Sequence, residues 1–171
     1  MVKMKVKVVG LEQSTMHPMV IITDYDEKGY IPILIGPTEA DAIRRGLAGE
    51  KVARPFTHEL VKGILDAVGV RIDRVVIHDL RDEVYFARIY LKTKNGEVDI
   101  DARPSDSIAL AVRTGAPIYV TDEVAARAVI ENRPYDDKEL EDFRRFLEEV
   151  TPEDFVRNFR AGNQENTKAG D

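Results

Sequence analysis

A pattern recurs in this chain at an offset of 67 residues. Pro37-Thr38-Glu39 answers to Pro104-Ser105-Asp106, Ala42-Ile43 to Ala109-Leu110, Gly29 to Gly96, and Val8-Val9 to Val75-Val76. Each unit reads as strand, strand, polar turn and strand, then a helix that opens on proline, a hydroxyl residue and an acid. A helix with one apolar face must bury it on the strands beside it. The expected fold class is therefore α+β: internally duplicated β-β-β-α units forming a mixed or antiparallel sheet with packed helices, plus a helical C-terminal appendage.

Local signals place the elements. Strands are expected over 2–10, 18–24 and 30–35, then a helix over 37–48 with Pro37 in its first turn and Gly49 as its stop. Arg54-Pro55 breaks the chain. A second helix follows over 58–68, with Thr57 as N-cap and Phe56 and Val61 as a hydrophobic staple. Its residues Leu60, Val61, Ile64, Leu65 and Val68 read as one apolar stripe. Strands over 71–78, 84–93 and 97–102 come next, the last two joined at Asn95-Gly96, a hairpin signal. A helix over 104–113, a short strand over 117–120 and a helix over 122–131 complete a domain spanning 1–132. Residues 133–160 read as an acidic helical appendage, and 161–171 lack apolar anchors and read as a disordered tail.

Composition narrows the function classes. The net charge is −6, so the chain has no basic excess with which to grip nucleic acid by charge alone. A polyanionic substrate would need local basic patches or a bound cation. Cysteine is absent, which removes disulfides, thiolate metal sites and a cysteine nucleophile. No apolar run is long enough to span a membrane, and MVKMKVKVV alternates like a strand, so a cytoplasmic protein without a membrane partner is expected. A Gly-rich phosphate loop, a G-x-S-x-G elbow and an H-E-x-x-H helix are also missing.

Several side chains carry candidate chemistry. Glu97, Asp99, Asp101 and Arg103 alternate along one strand and share a face, close to Ser105 and Asp106 at the following helix start. Such oxygen-rich clusters suit a divalent cation, Mg²⁺ or Mn²⁺, bridging Asp99, Asp101 and Asp106 to a phosphodiester. The same pattern also describes the solvated face of an edge strand, with Asp106 serving the helix dipole. Arg54 and His58 flank the second helix start, where free amides favour anions and His58 suits proton transfer. They equally describe a plain helix start. Glu39 holds in the first unit the place of Asp106 in the second, so the two acids either serve their own helices or converge on one cleft. Asp79-Leu80-Arg81-Asp82 is either a polar turn or a second source of carboxylate.

Four stretches, Ile31–Ile43, Arg54–Leu60, Val75–Asp82 and Asp101–Leu110, in this order and spacing resemble the bifunctional nuclease (DNase/RNase) domain family. Glu59 and Ser107 stand where the family pattern has Asp and Ala. The resemblance implies a compact α+β domain, homo-oligomers (a dimer first) and nuclease activity on DNA and RNA. Its motif positions here are Glu39, Arg54, His58, Asp79, Arg81, Asp101, Arg103, Ser105 and Asp106. Together with the residue chemistry, this makes Asp101, Asp106, His58 and Glu39 the expected catalytic groups. Arg54, Arg81, Arg103 and Ser105 become the expected substrate contacts. The other reading is a non-enzymatic oligomeric module that binds a small anion or a protein partner, with the same charged groups holding its halves together.

Overall fold

A computed structural model describes residues 1–12 and 14–130. The expected appendage and tail lie outside the described residues. Two antiparallel meanders stand side by side. The first is β1 (Val2–Leu11), β2 (Pro18–Asp24) and β3 (Tyr30–Leu34); the second is β4 (Arg71–Arg81), β5 (Val84–Thr93) and β6 (Gly96–Ala102). A three-residue strand, β7 (Ile118–Val120), joins them into one seven-stranded mixed sheet ordered β3-β2-β1-β7-β4-β5-β6. It runs antiparallel to β1 and parallel to β4. The α+β class therefore holds, and both halves step outward from β7 in the same order. That likeness is one of topology and does not by itself establish a duplication.

Helices α1 (Pro37–Ala48) and α3 (Pro104–Thr114) follow the two meanders and share one grammar. Each has proline in its first turn, an acid at its positive end (Glu39, Asp106), an arginine at its negative end (Arg45, Arg113) and a left-handed glycine cap (Gly49, Gly115). Buried Ala40, Ile43, Ile108, Ala109 and Ala111 join Val20, Ile22, Val75, Ile77, Ala87 and Ile89 of the strands in the main core. The two helices cross closely at Gly46, where an added Cβ would lie 2.6 Å from Val112 Cγ2 and 2.7 Å from Arg113 Nη1. In open helix, Gly→Ala gains up to about 1 kcal/mol. Here neighbours must shift, and Gly46→Ala is expected to lose about 1–2 kcal/mol net, read from urea denaturation.

Three boundaries differ from the sequence reading. Helix α2 (Thr57–Ala67) is capped by Phe56 and not by Thr57, because the Glu59 carboxylate reaches back to accept from the Phe56 N–H at 3.2 Å. The Phe56 ring is exposed with the Arg45 guanidinium 4.8 Å from its centroid, so it does not sit as a staple on the core. Strand β4 runs on to Arg81, and the turn falls on Asp82 and Glu83, both with positive φ as a two-residue hairpin turn demands. Helix α4 (Asp122–Ala128) stops earlier than expected, since Val129 turns extended and Ile130 pairs with Tyr30.

Candidate active site

The three longer helices bring their N-terminal turns together. Glu39 lies in the first turn of α1, His58 in that of α2 and Asp106 in that of α3, with Arg103 the residue before α3. Arg103 ties the two halves of the sequence. Its Nη2 donates to Glu39 Oε1 at 2.9 Å, and its Nε donates to Asp106 Oδ2 at 2.7 Å. The other Asp106 oxygen, Oδ1, lies 3.2 Å from His58 Nε2. The two acids matched by the sequence repeat thus meet through one guanidinium.

Electrostatics fixes their charge states. Burial pushes the Asp106 carboxyl up, but its hydrogen bonds to Arg103 and His58 outweigh this and hold it below the ordinary value of 3.8. Burial likewise pushes Glu39 up, and the Thr38 hydroxyl, the helix-start N–H and Arg103 bring it below 4.5. Arg103 is raised, chiefly by its bond to Asp106, and stays charged. An ionised carboxylate can only accept, so His58 Nε2 carries the proton and donates to Asp106. When the ring is neutral, its lone pair is then on Nδ1. With its side chain 13% exposed, His58 is fixed by its surroundings yet open to solvent. Such an arrangement can orient a base: the carboxylate sets the tautomer and leaves the other ring nitrogen able to accept a proton.

What holds His58 there is a contact that local sequence signals did not reveal. Glu59 accepts from Arg113 Nε of α3 at 2.5 Å, and the Arg113 side chain is only 7% exposed. Arg113 also donates to the Ala109 carbonyl at 2.8 Å. The partners are 54 residues apart, and no local pattern joins Glu59 to Arg113.

The other expected site residues lie elsewhere. On β6, Glu97, Asp99 and Asp101 pair in register with Lys92, Tyr90 and Arg88, while Val98 and Ile100 pair with the buried Leu91 and Ile89. The acids therefore point to the face opposite the helices, away from Asp106. Glu97 is bound by Arg74 at 2.7 Å, and Asp99 forms an ion pair with Arg88. Asp99, Asp101 and Asp106 thus do not form the oxygen cage that the alternation suggested. Among the described residues no three His, Asp or Glu side chains are grouped to hold a metal ion. Arg54 is exposed three residues before α2 and makes no ion pair among the described residues. Arg81 pairs with Asp79 at 2.5 Å near the β4–β5 turn. Ser105, 6% exposed, is packed into the first turn of α3 and not on the rim of the cluster. On α1, Arg44 and Arg45 are engaged by Asp41 and Glu50. His78 is a strand residue whose buried Nε2 has no hydrogen-bond partner.

No helix among the described residues is long and apolar enough to cross a membrane. An uncharacterized protein of Mycobacterium tuberculosis is 35% identical over 162 residues, covering 88% of this chain and 97% of its own length. Bifunctional nuclease 1 of Arabidopsis thaliana is 31% identical over 113 residues, covering 64% of this chain but only 35% of the plant protein. Bifunctional nuclease 1 of Oryza sativa subsp. japonica is 28% identical over 123 residues, 70% of this chain and 37% of the rice protein. The family model for the bifunctional nuclease domain matches residues 20–133, which include all four residues of the cluster. The chain belongs to the bifunctional nuclease domain family.

Proposed function

We propose that this protein is a cytoplasmic nuclease that hydrolyses phosphodiester bonds in DNA and RNA at the Glu39-Arg103-Asp106-His58 cluster. The observation that supports the reading best is the 3.2 Å contact between His58 and Asp106, set where three helix starts meet. His58 Nδ1 takes a proton from the attacking water. The new P–O bond forms as the bond to the leaving oxygen breaks, and the leaving oxygen is protonated from solvent. Arg103 is 66% exposed, so its guanidinium can also face a phosphate while Nε and Nη2 are held by the two acids. Free amides at the helix starts add to the attraction for an anion, and Arg54 stands nearby in sequence at the α2 start. The reading gives a divalent cation no step. Mg²⁺ typically binds through one or two carboxylates plus substrate phosphates, so Mg²⁺ or Mn²⁺ would have to arrive with the nucleic acid. Self-association as a homodimer belongs to the same reading.

The test is cleavage of labelled single- and double-stranded DNA and RNA by wild type and Arg103→Ala, each with Mg²⁺, Mn²⁺ or EDTA. Arg103→Ala is expected to slow cleavage by about 10²-fold, the usual cost of losing one donor to a transition-state oxyanion. Equal rates would remove Arg103 from the chemistry. One observation favours the second reading, a non-enzymatic module that binds a small anion or a protein partner. Arg103 joins Glu39 of one half to Asp106 of the other, as a structural clamp would. That reading predicts a less stable Arg103→Ala protein with no nuclease activity to lose.

A further inference from the structure

We infer that the outer face of α2 is where two copies of this chain meet. The inference deepens the dimer reading above and rests on it for stoichiometry, and it is independent of the nuclease chemistry. Helix α2 contains no buried residue. Its partly buried side, Val61 and Leu65, packs against the main core. At 100° per residue, Leu60, Ile64 and Ala67 are turned from Val61 and Leu65 by about 110° on average, and Val68 lies between the two groups. The single stripe read from the sequence is therefore about 140° wide, with its Val61–Leu65 edge turned to the domain and its Leu60–Ile64 edge turned to solvent. Leu60, Ile64 and Val68 are 53%, 54% and 62% exposed, and Phe56 just before the helix is 55% exposed. An apolar stripe wider than the face the domain covers leaves its outer edge for another surface.

Strand β6, at the edge of the sheet among the described residues, lies beside α2. His58 at one end of the helix reaches Asp106 just past β6, and Asp66 near the other end shares a cavity with Gly96 and Glu97. On the helix side of the sheet, β6 adds Val98 and Ile100, exposed by 50% and 47%. Six large apolar side chains at about half exposure present roughly 400 Å² of apolar surface. A standard interface buries about 800 Å² per partner, somewhat over half of it apolar, so the patch is close to what a stable dimer needs. A second copy is the occupant that fits. The outward positions Leu60, Gly63, Ile64, Ala67 and Val68 are all uncharged, so a chain of net charge −6 can meet itself there without burying like charges. The face is also self-complementary in shape. The ridge Leu60-Ile64-Val68 runs beside the shallow row Gly63-Ala67, and the ridge of one copy seats in the groove of the other across a two-fold axis.

The experiment is light scattering after size exclusion on the full chain: wild type, Ile64→Asp and Leu60→Asp, with circular dichroism to confirm folding. Both positions face solvent in the single chain, so the variants are expected to fold as wild type does. Wild type is expected to run as a dimer, and each variant to dissociate at least about a hundredfold more readily, because every dimer would bury two unpaired carboxylates. A dimer unchanged by either variant would overturn the assignment of this face while leaving dimerisation standing. A monomeric wild type at tens of micromolar would overturn both, and would mean that the face is covered by another occupant, such as this chain's residues 131–171 or a different protein. As the chain has no cysteine, Ile64→Cys supplies an independent readout. Mild oxidation should give a covalent dimer, whereas Asp26→Cys, on an exposed turn, should not.

Discussion

His58→Asn lowers the turnover of DNA and RNA cleavage by about 10²–10⁴-fold, the range that a positioned general base supplies. Asparagine keeps a donor that can face Asp106 but has no ring nitrogen to accept a proton. The contact to α3 is therefore largely retained while the base is lost. KM is expected to change little, because phosphate binding falls to Arg103 and the helix starts. The melting temperature should stay near that of wild type, since the His58–Asp106 contact is a partly solvated one. Steady-state kinetics with thermal melting checks both halves of this expectation. A fall in stability with unchanged turnover would assign His58 to the structure and not to the chemistry.

Arg113→Ala is expected to cost about 2–3 kcal/mol, measured by urea denaturation. Breaking a buried ion pair from one side costs about 3–5 kcal/mol. The lower figure applies here because Glu59, at 27% exposed, can regain water. The loss depends on pH in a definite direction. Burial works to raise the Glu59 carboxyl, but its hydrogen bond to Arg113 prevails and holds it below its ordinary value of 4.5. A lowered carboxylate contributes stability that is fully present above the ordinary value and fades as pH falls through the lowered one. The gap between wild type and Arg113→Ala is thus full at neutral pH and narrows below about 4.5. Because α2 has no other charged tie to α3 besides His58–Asp106 among the described residues, Arg113→Ala should also reduce turnover by loosening His58.

The helices were legible in the sequence because their signals are local. Pro37-Thr38-Glu39 with Gly49, and Pro104-Ser105-Asp106 with Gly115, mark starts and stops that depend only on neighbouring residues. The pairing of Glu39 with Asp106 followed from the same repeat, although the guanidinium that joins them did not. Three features were beyond local reading. Strand β7 has three residues, Ile118-Tyr119-Val120, too few to announce that it sits at the centre of the sheet. Alternation showed that Asp99 and Asp101 share a face, but which face depends on the register with β5, where Leu91 and Ile89 turn Val98 and Ile100 toward the helices. The five apolar positions of α2 form one stripe as read, but which edge of it the domain covers is set by the packing of Val61 and Leu65 on the core, which no local signal carries.

Chemistry at the cluster of helix starts and chemistry at the acids of β6 predict opposite outcomes for one pair of variants. The most direct measurement is the cleavage rate of one labelled DNA by wild type, His58→Asn and Asp101→Ala, purified side by side and assayed together. The account predicts that His58→Asn loses at least about 10²-fold while Asp101→Ala stays within a few-fold of wild type. Loss in Asp101→Ala with full activity in His58→Asn would place the reaction on the β6 face and contradict it.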